Sequence, residues 1–73
     1  MYKISLRNVG SDMVTRDETV YVDTFDEAMI FAKSLIQVIL GYTDFTVLPM
    51  DEQAYSITHH ETLVGSFSIV TLN

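Results

Sequence analysis

TFDEAMIFAKSLIQVILG, residues 24–41, decides how this chain is read. Thr24 followed three residues later by Glu27 is a capping box: the threonine hydroxyl accepts from the Glu27 amide, and the glutamate reaches back to the cap. Asp26 and Glu27 put negative charge in the first turn, where the helix dipole favours it. Gly41 stands where a left-handed C-terminal cap belongs. At about 1.5 Å per residue, some 16 residues between these signals make a helix roughly 24 Å long, enough to cross a small sheet.

At about 100° per residue, Phe25, Ala28, Met29, Ala32, Leu35, Ile36 and Ile39 fall on one stripe, the expected sheet-facing core. Leu40 borders it. Ile30, Phe31 and Val38 do not belong to it. They lie on the other side of the helix, around Glu27 and Ser34, where a helix resting on a single sheet is expected to be polar. A surplus of apolar residues of this kind marks an interface or a second covering layer. Ile30, Phe31 and Val38 are therefore the candidate contact residues, for a second copy of the chain or for another protein.

The residues on either side read as strands. In residues 2–9, YKISLRNV, Tyr2, Ile4 and Leu6 alternate with Lys3, Ser5 and Arg7, which is a half-buried strand. Gly10, Ser11 and Asp12 supply turn chemistry, and residues 13–17 fit either a loop or an extended hairpin. Residues 18–23 read as a second strand, with Val20 and Val22 on one face and Tyr21 on the other. After the helix, strands are expected around residues 45–48, over residues 54–60 and over residues 65–72, with a turn near Glu61 and Thr62. The order is ββαβββ: an α+β fold with one helix packed on a face of a mainly antiparallel sheet. Tyr21, Leu48, Val64 and Val70 are expected on the sheet's other face. The last strand, with Ser66 and Ser68 alternating, offers an edge for pairing with another chain.

The chain has 73 residues, expected to form one domain, with ten acidic residues against Lys3, Arg7, Arg16 and Lys33 and a net charge of −6. Phosphate neutralisation needs clustered cations, so this balance argues against nucleic acid and anionic membranes as partners. There is no cysteine, which removes disulfides, thiol catalysis and thiolate zinc sites. Residues 1–7 lack the apolar segment of a signal peptide, and the helix is too short and too interrupted to span a bilayer. A cytoplasmic location is the expectation. A domain this small buries only about 60% of the surface its unfolded chain exposes, so oligomerisation, a homodimer first of all, is the readiest added support.

No catalytic constellation stands out. The serines sit in no nucleophile motif, and the three glycines are isolated rather than gathered in a phosphate loop. His59, His60 and Glu61 resemble metal ligands, but a strand would send His60 to the face opposite His59 and Glu61, and no further ligand recurs at ligand spacing. They read as polar residues at a strand end or turn, so no metal and no cofactor is expected. No calcium-loop pattern occurs. Asp23, Asp26 and Glu27 gather at the helix start. Asp12, Asp17 and Glu18 near the first hairpin, and Asp51 and Glu52 after the third strand, are candidate acidic contacts for a basic protein surface, set against a purely solubilising role.

A short hairpin, then T-x-x-E-A-x-x-x-A opening a single helix (Thr24, Glu27, Ala28, Ala32), then further strands, resembles small accessory proteins of bacteriophages, including some anti-CRISPR proteins of ββαββ outline. The resemblance implies a protein that binds and blocks a host protein in the bacterial cytoplasm, and it carries over no functional residue. A non-enzymatic protein-binding module is the leading reading. An assembly subunit that forms an obligate oligomer through the helix or a sheet edge is the first alternative. A small-ligand-binding domain, with a pocket between helix and sheet, is the second.

Overall fold

The computed structural model describes residues 1–72. Along the chain run β1 (Tyr2–Val9), β2 (Val14–Val20), α1 (Phe25–Leu40), β3 (Thr46–Pro49), β4 (Ala54–His59) and β5 (Thr62–Thr71). The strands form one five-stranded sheet in the order β2-β1-β5-β4-β3, with every neighbouring pair antiparallel. The helix packs on one face. The architecture is α+β, with the ββαβββ order expected from the sequence.

The helix ends where its caps stand. The Thr24 hydroxyl accepts from the Glu27 amide at 3.2 Å, the threonine half of the capping box, and it donates to the Glu27 carboxylate at 3.0 Å, so the glutamate reaches back to the cap hydroxyl rather than to the cap amide. Gly41 takes φ 82° and its N–H bonds to the Gln37 carbonyl, the single-bond left-handed cap that a Cβ would disfavour. Ala28, Ala32 and Ile36 are fully buried; the two alanines let the helix axis lie close over β1. Met29, Leu35, Ile39 and Leu40 pack at the borders of this stripe. Phe25 departs from the expected core: it is 38% exposed. Its ring instead lies edge-on to Tyr2 at 6.4 Å and beside Tyr55 at 6.5 Å, and Tyr55 stacks on the buried Phe67 at 5.2 Å. Such aromatic pairs contribute about 0.5–1.5 kcal/mol each beyond burial.

Beneath the helix lie Ile4, Leu6 and Val9 of β1, Val20 of β2, Ile57 of β4, and Phe67 and Ile69 of β5, all buried. The sheet's other face carries small polar side chains. Register places Ser5 opposite Ser68, Arg7 opposite Ser66, and Ser56 opposite Ser66.

Three strand expectations change. The second strand occupies Val14–Val20 rather than residues 18–23. It pairs with β1 through polar residues, and the chain leaves the sheet after Val20, so that Tyr21 is 83% exposed. The last strand is no edge: β5 is ten residues long, lies between β1 and β4, and buries Phe67 and Ile69. The edges are β2 and β3. Finally, β5 begins at Thr62, ahead of Gly65. A β-bulge in β1 with Asn8 at φ 54° pushes Val9 onto β5. A Cβ on Gly65 would sit 2.8 Å from the Val9 Cα, closer than side-chain atoms tolerate, so glycine is needed inside the strand.

Candidate functional site

The outer face of α1 carries the surplus apolar residues where the helical period puts them. Ile30 is 66% exposed, Phe31 42% and Val38 80%. Between them Ser34 donates its hydroxyl to the Ile30 carbonyl at 3.0 Å. This self-satisfied hydroxyl asks little of water, so Ile30, Ser34 and Val38, spaced by four, make a row of low polarity with Phe31 beside it. The row borders a groove of about 320 Å3 between α1 and β3, lined by Ile30, Ser34, Gln37, Phe45 and Val47 among others.

A second exposed apolar patch went unseen in the sequence. Met13, Met50 and Leu63 are each more than half exposed, and with Arg7, Val64 and Gly65 they line a shallow groove where the first hairpin meets β5. Met13 comes from the β1–β2 turn, Met50 from the β3–β4 loop and Leu63 from the start of β5, and no periodicity links them. Of the residues expected opposite the helix, Leu48 is 49% exposed and Val70, paired with Lys3, is half-buried. Val64 instead packs against the rim of the core.

The candidate acidic residues are dispersed. Asp12 lies in the exposed β1–β2 turn. Asp17 and Glu18, adjacent on β2, point to opposite faces, and each has its own cation. Asp17 meets Arg7 at 3.1 Å and Lys3 at 3.6 Å, while Glu18 pairs with Arg16. Hydrogen bonds from the Ser5 hydroxyl and Arg7 hold the Asp17 carboxyl below its usual range, with the charges of Lys3 and Arg7 adding to this. Asp51 caps its own loop, accepting from the Gln53 and Ala54 amides at 2.9 Å each. Glu52 is exposed in the same loop, which joins β3 to β4 at the end of the sheet opposite the β4–β5 turn. No single acidic face results.

The histidines are placed differently from expectation. Strand β4 ends at His59, and His60 and Glu61 form a two-residue turn to β5 with φ 49° and 67°. This is the pattern of a type I′ hairpin, usually filled by Asn and Gly. The turn therefore keeps His60 on the same side as His59, with ring centroids 4.1 Å apart, rather than sending it to the opposite face. Asp44, ahead of β3, joins them. Its carboxylate lies 3.7 Å from His59 Nδ1 and 3.4 Å from His60 Nε2. Its carbonyl is 3.0 Å from His59 Nδ1, placed to accept a hydrogen bond. Tyr42 covers the other side of His59 at 4.1 Å. Fifteen residues separate Asp44 from His59, too far and too irregular a spacing to be read as a motif.

Among the described residues, no helix is long and apolar enough to cross a membrane. No family model, curated protein or solved structure matches the chain.

Proposed function

We propose that this chain is a non-enzymatic protein-binding module whose contact surface is the outer face of α1, and that its first partner is a second copy of itself. The observation that carries this reading is the exposed row Ile30–Ser34–Val38, flanked by Phe31. The row is self-complementary. In two antiparallel helices related by a two-fold axis at Ser34, Ile30 faces the partner's Val38, and small serines meet at the crossing, where backbones approach closest. An isologous interface demands this kind of symmetry. The charges tolerate it. Each Glu27 lies seven positions from the axis, so the two carboxylates are about 21 Å apart along the helices, well beyond the ~8 Å screening length at physiological salt.

The row alone is smaller than the ~800 Å2 per partner of a stable interface. The α1–β3 groove beside it, with Phe45 and Val47, supplies adjoining apolar surface. An acidic docking face has less support, because Asp17 and Glu18 are tied to cations on opposite faces and Asp51 is bound into its own loop.

Light scattering on the parent and on Phe31→Glu tests the reading. A dimeric parent and a monomeric variant are expected. Equal monomeric masses for both would sink self-association and leave a different protein as the occupant of this face, which is the host-inhibitor version that the resemblance to phage accessory proteins implies.

A further inference from the structure

We propose that Asp44, His59 and His60 form a binding site for a divalent transition-metal ion of the zinc type. The proposal goes beyond the helix-face reading and does not rest on it. Each of the three residues offers one ligand atom, and these atoms lie within 4.8 Å of one another. In a tetrahedral site with metal–ligand bonds of about 2.0–2.2 Å, ligand atoms stand about 3.3–3.5 Å apart. Asp44 Oδ2 already stands 3.4 Å from His60 Nε2, and the other carboxylate oxygen, Oδ1, stands 3.7 Å from His59 Nδ1. Closing the rest needs small side-chain rotations. Asp44 and His60 have room for them, with side chains 61% and 76% exposed.

The donor set selects the ion. Two imidazoles and one carboxylate suit zinc, nickel or copper, whereas magnesium and calcium call for oxygen ligands. Three protein ligands leave a coordination position for water, as in open zinc sites.

The surroundings favour a cation. Lys3, Arg7 and Arg16, three of the chain's four basic residues, are paired with Asp17 and Glu18 on the first hairpin. Close to the cluster, the last turn of α1 contains no basic residue, so its negative dipole end is not offset by a side chain. The Tyr42 ring covers His59, and a metal bound at His59 Nδ1 would take the place of that nitrogen's contact with the Asp44 carbonyl.

Calorimetric titration of the full chain with zinc chloride tests the site, with magnesium chloride as the control ion. The expected result is saturable binding of one zinc per chain and no magnesium binding. Asp44→Asn, and the double variant His60→Asn with Glu61→Gly, should each weaken zinc binding at least ~10-fold, since even outer-shell changes at metal sites cost that much. The double variant installs a favoured turn sequence, so it removes a ligand without endangering the hairpin. Glu61→Gly alone should leave zinc affinity unchanged. Absence of saturable zinc binding, equal binding of magnesium, or undiminished affinity in either ligand variant overturns the proposal.

Discussion

Replacing Glu61 by glycine should stabilise this protein, and the size of the effect follows from the backbone. Glu61 is the second residue of the β4–β5 turn and sits at φ 67°. For a residue with a Cβ, that left-handed conformation costs about 1–2 kcal/mol, from the clash of Cβ with the following carbonyl. Glycine removes the clash but gives back about 0.5–1 kcal/mol through the greater freedom of its unfolded chain. Taken between the middles of these ranges, the net gain is about 0.75 kcal/mol, or roughly 3–6 °C in Tm for a domain of this size. The side chain itself makes no ion pair or hydrogen bond among the described residues, so little is lost with it. Charge must be separated from conformation, because the chain carries a net charge of −6 and loss of any carboxylate relieves repulsion. Glu61→Ala does that. It removes the same charge and keeps the Cβ, so it should leave Tm almost where it was. Thermal unfolding followed by circular dichroism on the parent and the two variants is the assay. If alanine stabilises as much as glycine, the gain is electrostatic and the argument from turn strain is refuted.

Three further outcomes follow from the fold. Thr24→Ala opens the capping box and should cost about 1 kcal/mol in denaturant unfolding; an unchanged midpoint would mean that the Glu27 amide finds water at no loss. Ile36→Ala, at a fully buried position on the inner face of α1, should cost about 2–5 kcal/mol, a large share of the roughly 4–11 kcal/mol expected for a chain of this length. Asp17→Asn tests the ion pairs on the sheet's open face. The Asp17 carboxyl is held below 3.8 in the folded chain, by Ser5 first and then by Arg7. Its contribution is thus present above 3.8 and fades as pH falls through the lower folded value. The parent should exceed Asp17→Asn in stability at neutral pH, with the gap closing in acid; a gap that is constant with pH would contradict this origin.

The helix was legible because its signals are local and mutually consistent. Thr24, Glu27 and Gly41 act within one turn of themselves, and the apolar period selects Ala28, Ala32 and Ile36 for the core without reference to the rest of the chain. The second strand was not legible for the converse reason. An edge strand beside a single helix has little to bury. In Val14–Val20 only Val20 is buried; Val14 is half-buried, and the five positions between them hold two threonines, Arg16, Asp17 and Glu18. Its place is fixed by hydrogen bonding to β1 and by the bulge at Asn8, and neither leaves an apolar alternation. Gly65 misled in a related way: glycine marks the end of many strands, yet here it sits inside one because Val9 comes too close for any Cβ.

The same distinction separates the two surfaces on which binding has been placed. The exposed row on α1 was visible in the sequence because it is a property of one helix: where the core stripe ends is known from the period, so Ile30, Phe31 and Val38 stand out as residues the core does not need. The Asp44–His59–His60 cluster is a property of the tertiary fold. His59 and His60 are neighbours in sequence, and strand alternation would part them. They meet only because the strand stops at His59 and the turn takes both residues of positive φ. Asp44 reaches them only because β3 pairs antiparallel with β4, setting Thr46 opposite Thr58 and so bringing the residues ahead of β3 to the end of β4. Strand pairing and turn type are therefore the determinants of the cluster. An insertion that lengthened the β4–β5 turn would be expected to dissolve it while leaving the helix row intact. The two surfaces can thus be tested independently of one another.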